Sequence, residues 1–230
     1  MLLTKEATLD LYFPIDDSLT IRDQIYHFVR QLIMDGHFSH KDRIVEAQLA
    51  KKLNISRTPV REALHSLERE GLLESIPRVG YKLRSMTRKD VAEICEIRIV
   101  NETLAAKWAI QRITPELVPM LEENIRASEE MARKGNPRKF VGLDGKFHEI
   151  IQRASGSERL VELCMLLRDS MMLCRVKSIY TSETVLEALK GHWAILHCIR
   201  HCAYDEVGRT IREHLNYAKQ NILKVAFPED

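Results

Sequence analysis

No stretch of this chain approaches the ~18 unbroken apolar residues that a membrane-spanning helix needs, although 45% of its 230 residues are hydrophobic. A helical membrane protein is therefore excluded. The opening residues, MLLTKEATLD, lack the charge-then-apolar order of a secretory signal, so a cytoplasmic protein is expected. Cysteine is sparse and unpatterned: five residues, at 95, 164, 174, 198 and 202, with no repeated C-x-x-C spacing. An odd number within apolar helical runs reads as reduced core or near-core thiols, which suits a reducing compartment. There is no internal repeat and no low-complexity tract, and beyond Thr87 strand signals vanish. The length and the 30% of charged residues are those of a globular protein of two modest domains.

What is present centres on residues 46–81. Ala47, Leu49, Ala50 and Leu53 give one apolar face of a short helix, and Asn54 interrupts it because its side chain competes for backbone hydrogen bonds. Thr58-Pro59 is a helix start signal, a hydroxyl to cap free N–H groups and a proline that loses nothing in a first turn. Val60, Ala63, Leu64 and Leu67 then recur at helical spacing, and Gly71 can adopt the left-handed conformation that closes a helix. Two short helices joined by three or four residues form a helix–turn–helix. Leu72-Leu73 and Tyr81-Lys82-Leu83, around Pro77-Arg78-Val79-Gly80, predict a small hairpin, a wing.

Ser56, Arg57, Thr58 and Arg61 crowd the start of the second helix, the end that meets the major groove in such motifs. Arginine bonds phosphate and the O6/N7 edge of guanine alike. A helical pair with solvated arginines would explain two short helices alone; a wing and a basic helix start in register favour a DNA reader. Charge agrees. Residues 41–88 hold 11 Lys/Arg against 6 Asp/Glu, a net +5, and the remainder 24 against 27, a net −3.

The run SRTPVREAL, then L-x-x-E-G-L-L and a wing closing on R-x-G, resembles the GntR family of bacterial transcription regulators. The helical half beginning near Thr87 resembles the FadR-type branch, whose effector domain is called FCD. The resemblance spans roughly residues 18–225. It implies operator contacts by Arg57, Thr58, Arg61, Arg78 and Gly80, with Ser56 nearby. Two departures, His40-Lys41 where Pro-Gly is frequent and Ala47 where a basic residue is frequent, bear on the operator sequence.

Taken in order, residues 1–17 are expected to be a flexible lead-in, and Thr20–Asp35 a first amphipathic helix on Ile21, Ile25, Phe28, Val29, Leu32 and Ile33, ended by Gly36. Residues 18–85 would form the winged helix–turn–helix domain. Thr87 to Asp90 reads as a capping box opening an all-α domain over 86–230, with helices near 88–111, 115–134, 137–155, 157–178, 182–202 and 204–224. The fold class expected is mainly α, a winged helix–turn–helix followed by an FCD-like helical bundle.

Polar residues on apolar helix faces stand out in that bundle, because burying them requires a partner. Asp144 and His148 lie four apart beside the stripe of Phe140, Leu143, Phe147, Ile151 and Ala154. His192 falls on the stripe of Val185, Leu189, Leu196 and Ile199, and His214 on that of Val207, Ile211 and Ala218. One carboxylate and three neutral imidazoles suit a divalent zinc, nickel or manganese ion; histidines hydrogen-bonded in the core are the plainer alternative. Many FCD domains carry D-x-x-x-H and one histidine on each of the last two long helices as metal ligands, and Asp144, His148, His192 and His214 match those positions. His197, Cys198, His201 and Cys202 form two further i,i+4 pairs. His197 lies about 140° and His201 about 180° around the helix from His192, so they cannot share its site, and the set reads as surface or interface residues. Arg98 shares a face with Ile94, Asn101, Ala105 and Trp108, so its guanidinium should point inward. Its anion is either Glu102, four residues on, or a ligand carboxylate gripped bidentately. Related FCD domains hold an effector acid with an arginine here, which makes Arg98 and Asn101 candidate effector-binding residues.

The resulting expectation is a homodimeric transcription regulator, more often a repressor in this family, that reads double-stranded operator DNA and is not an enzyme. A small carboxylate effector in a metal-containing cavity would modulate it. The alternatives are a metal-dependent enzyme fused to a DNA-binding domain, and a winged-helix interaction module with a structural metal.

Overall fold

The structure, a computed structural model, describes residues 18–34, 37–39, 42–178 and 182–227. The expected lead-in, Gly36, His40-Lys41 and the break at Tyr180 lie outside them. The chain divides into two compact units, Met1–Ser85 and Met86–Asp230.

The first unit runs α1 (Ile21–Met34), α2 (Glu46–Leu53), α3 (Arg57–Arg69), β1 (Leu73–Ile76) and β2 (Gly80–Leu83). Ile25, Val29, Leu32 and Ile33 of α1 are buried, as are Val60, Ala63, Leu64 and Leu67 of α3, while Ile21 stays exposed. Burying each of these isoleucine, valine and leucine side chains is worth about 1.5–3 kcal/mol, which sets the two helices against each other. Asn54 ends α2 by taking the left-handed conformation itself, φ 55°, with its N–H on Lys51. The next helix begins one residue before the Thr58-Pro59 signal. Ser56 is the N-cap and makes no side-chain capping bond, and Thr58 lies inside the first turn. Pro59 is tolerated there because the first N–H groups of a helix have no intrahelical partner.

Gly71 closes α3 at φ +76°. The wing pairs Leu73 with Leu83 and Ile76 with Gly80 in antiparallel register, and Ile44 adds a bridge to Tyr81. Gly80 is required at φ +131°: a Cβ there would stand 2.5 Å from the Ile44 carbonyl oxygen.

The second unit is helical among its described residues: α4 (Arg88–Gln111), α5 (Leu117–Arg133), α6 (Pro137–Ala154), α7 (Glu158–Ser178), α8 (Ser182–Arg200) and α9 (Val207–Ala226). Thr87 and Asp90 form the capping box at the head of α4. Asn136 caps α6 by accepting from the Lys139 N–H at 3.2 Å. The main core draws on α4, α5, α6, α8 and α9, with Phe140, Phe147, Leu121, Ile125 and Ile199 fully enclosed. Helix α7 packs on α4 through Leu160, Cys164 and Ala105.

One helical run is shorter than its apolar pattern suggests. Cys202 adopts φ 51° and the Ala203 N–H returns to the Cys198 carbonyl at 2.8 Å, so α8 stops at Arg200 and a turn leads to α9. Cys202 is therefore an exposed turn residue, whereas Cys95 and Cys164 are buried thiols as expected. Cys198, grouped with surface or interface residues by its angle from the His192 stripe, is instead buried in the main core, whose face is wider than that stripe. The side chain of Cys174 lies outside the described residues.

Candidate nucleic-acid interface and metal centre

Helix α3 turns its apolar face inward and leaves Ser56, Arg57, Thr58 and Arg61 exposed at its N-terminal end. The left-handed Arg78, φ 64°, occupies the exposed turn between the wing strands. These side chains carry the donors that phosphate and guanine edges accept from. His65, one turn beyond Arg61 and also exposed, was not singled out by sequence.

In the second unit α6, α8 and α9 bring His148, His192 and His214 together. One ring nitrogen from each lies within 4.8 Å of the others. His214 Nε2 is 3.3 Å from His148 Nε2. Two nitrogens each ~2.1 Å from one ion sit about 3.0 Å apart at a right angle and about 3.4 Å apart at the tetrahedral angle, so this spacing fits a shared cation. Asp144 is buried on the same side, its Oδ1 3.4 Å from His192 Nε2; the mutually close donor set is the three imidazoles. Phe147 stacks on His192 with ring centres 4.0 Å apart and holds the imidazole plane. His214 is half-buried as a residue, with its ring enclosed. Burial, then the His192 and His148 rings, pushes its imidazole well below the ordinary value. It is neutral at pH 7 and offers a lone pair, as a metal ligand must. The donors present therefore fit a divalent ion.

Of the two anions weighed for Arg98, the structure places Glu102 against it. Its guanidinium is buried and grips Glu102, with Nε and Nη2 each 2.8 Å from Oε1. The other carboxylate oxygen, Oε2, receives His148 Nδ1 at 2.7 Å. Burial opposes both charges. The Glu102 carboxylate nonetheless raises Arg98 above its usual value, and Arg98 and His148 hold the Glu102 carboxyl well below the usual carboxylate range. Among the described residues, Arg98 Nη1 meets the weak acceptor Met171 Sδ, at 4.0 Å.

Arg98, Asp144, His148 and His214 line a cavity of about 30 Å³, with Thr184 and Ala188 of α8 and Leu215, Tyr217, Ala218, Asn221 and Ile222 of α9. Asn101 does not line it; its Nδ2 is buried without a hydrogen-bond partner. Most of the lining residues that sequence reading missed follow a helical rule. Ala188 and Thr184 precede His192 by four and eight, and Tyr217 and Asn221 follow His214 by three and seven, while Ala218, already read on the His214 stripe, follows it by four. Gly191 was missed too. A Cβ at Gly191 would collide with His214 Nδ1, so only glycine lets α9 bring that ring so close. His197 and His201 are exposed with ring centres 4.4 Å apart, away from this cluster.

A wing-bearing reader joined to a helical unit with a histidine-lined cavity defines a class of ligand-responsive DNA-binding regulators. The comparisons place it more narrowly. Residues 21–83 match the bacterial regulatory proteins of the gntR family, and residues 93–217 match the FCD domain. The chain is 31% identical over 215 residues to the uncharacterized HTH-type transcriptional regulator YdhC of Bacillus subtilis, covering 93% of this chain and 96% of that one. It is 22% identical over 211 residues to the HTH-type transcriptional repressor RspR of Escherichia coli, covering 92% of each. Among solved structures, E. coli McbR/YncC superposes with a TM-score of 0.79 at 19% identity, over 90% of this chain and 98% of that one.

This protein belongs to the GntR family of transcription regulators and carries an FCD domain, the effector-binding domain of such proteins. It is a DNA-binding regulator, and neither the family nor these relatives supports the enzyme reading. Among the described residues, no helix is long and apolar enough to cross a membrane.

Proposed function

We propose that the second unit binds a divalent zinc, nickel or manganese ion through Asp144, His148, His192 and His214. We further propose that a small carboxylate effector, held beside it against Arg98, controls operator binding in a cytoplasmic homodimer. The observation that carries this reading is the meeting of three imidazole donors within 4.8 Å, two of which, His148 and His214, line a cavity with Arg98. A bound metal would supply a Lewis-acidic centre for an anionic ligand, with open positions only at coordination above four. Arg98 adds Nη1, the edge least satisfied by Glu102, as a donor to the ligand's carboxylate.

A cavity of 30 Å³ has room for an ion and about one water. An organic acid therefore favours an arrangement in which the walls from α8 and α9 stand further apart. Its effect on DNA binding equals its differential affinity for the two arrangements. On the first unit, Arg57, Thr58 and Arg61, with Ser56 nearby, read the major groove while Arg78 and the Gly80 turn approach the backbone. A dimer reading an inverted repeat gains the specificity that one helix lacks. Support for a dimer comes from Ile97, Val100 and Leu104 on α4 and Leu163 and Leu166 on α7, apolar side chains left exposed on two helices that pack together.

Native mass spectrometry of untagged protein tests the reading. The expected species is a dimer with one divalent ion per chain. His192→Ala should lose the ion while retaining operator affinity, and Arg61→Ala should weaken operator binding and lessen its salt dependence. Full metal occupancy in His192→Ala would remove the proposed centre.

A further inference from the structure

We infer that Glu102 is a positioning residue: it fixes which nitrogen of His148 faces the metal and ties that ligand to the effector arginine. The inference rests on the metal reading above but concerns a residue that touches no metal. One carboxylate serves two partners with separate oxygens. Oε1 takes the Arg98 fork at 2.8 Å from both Nε and Nη2, and Oε2 takes His148 Nδ1 at 2.7 Å. All three side chains are buried, with Glu102 5% exposed, so water does not substitute for either bond.

A carboxylate only accepts, so Nδ1 of His148 must carry the proton, and Nε2 is left as the lone-pair donor. That nitrogen is the one 3.3 Å from His214 Nε2. A histidine ligand whose far nitrogen is anchored on a carboxylate is held in ring plane and tautomer, and is a stronger donor for it. The Arg98–Glu102 pair is therefore more than a buried intrahelical ion pair. It holds both the guanidinium of Arg98, a residue that lines the cavity, and the ring of His148, whose Nε2 faces His214, through a single group. A ligand that draws the Arg98 fork away alters the anchor of His148, and by reciprocity metal occupancy alters how Arg98 is held.

The test uses full-length protein with Zn²⁺ as the probe. Zinc affinity is measured by competition with a chromogenic chelator for wild type, Glu102→Gln and Glu102→Ala. The His148 tautomer is read in metal-free protein from ¹H–¹⁵N correlations, assigned against His148→Ala. The expected result is a 10–100-fold loss of zinc affinity in both variants, with the Nδ1–H tautomer seen in wild type giving way to a mixture in Glu102→Ala. Glutamine accepts through one oxygen only and cannot serve both partners. If Glu102→Ala fails to fold because Arg98 is stranded, the double variant Arg98→Met/Glu102→Leu removes both charges and should show the same loss. Unchanged zinc affinity in a folded variant, or an unchanged tautomer, overturns the inference. Wild type that binds no zinc would instead defeat the metal reading, while the tautomer still reports on Glu102.

Discussion

Gly191 shows how little a single position can vary at this centre. Its missing side chain is what lets His214 sit against α8, and a methyl group there would strike the ring. Gly191→Ala should leave helix content unchanged and lower zinc affinity at least tenfold, measured by chelator competition; unchanged affinity would mean that the ring can relax without leaving the donor set. Thiol chemistry separates along the same lines of burial. Burial, and the Glu102 charge after it, pushes the Cys164 thiol up to about 12, so it stays protonated and unreactive at pH 8. Cys202, in its exposed turn, should be alkylated first in native protein, and mass spectrometry of tryptic peptides should find Cys164 labelled only after unfolding. At this scale the sequence was partly legible. Asp144 and His148 advertise themselves by spacing and His192 and His214 by their place on apolar stripes. Gly191 and the second bond of Glu102 depend on neighbours 23 and 46 residues away in the chain, and no local pattern encodes such neighbours.

Among the elements, the wing is the most constrained. Gly80 combines φ +131° with the 2.5 Å approach to the Ile44 carbonyl, so Gly80→Ala should destabilise the first unit by roughly 1–3 kcal/mol. Urea unfolding followed by circular dichroism measures this; a loss below about 0.5 kcal/mol would show that the turn re-forms without strain. Helix limits were legible where punctuation is strong, as at Thr87-Arg88-Lys89-Asp90 and Asn136-Pro137, because caps satisfy backbone groups locally. They were less legible at Thr58 and at Cys202. Ser56, not Thr58, opens α3, and a cysteine in left-handed backbone closes α8 where the apolar pattern runs on. Hydrophobic periodicity marks which face is buried; it says less about where the last turn stops.

For the molecule as a whole, the charge split between the halves suits DNA, and the apolar side chains exposed on α4 and α7 among the described residues are the surface proposed above for a second copy of the chain. Val100, 64% exposed, is the most open of those five apolar side chains. Val100→Asp should convert a dimer into a monomer by light scattering and, by separating two operator-reading units, lower operator affinity at least tenfold. A variant that stays dimeric would place the subunit contact elsewhere.

The mainly helical class and the order of reader before bundle were written in the sequence itself, because periodicity, capping residues and glycine turns act over a few neighbouring positions. So was the chemistry on offer, the arginines of α3 and one aspartate with three histidines. Tertiary structure alone decided that the imidazoles of α6, α8 and α9 meet within 4.8 Å. It also decided that Glu102 joins Arg98 to His148, and that the cavity beside them is only about 30 Å³. Distances between groups far apart in the chain are set by how whole helices pack against one another, and a one-dimensional pattern does not carry them.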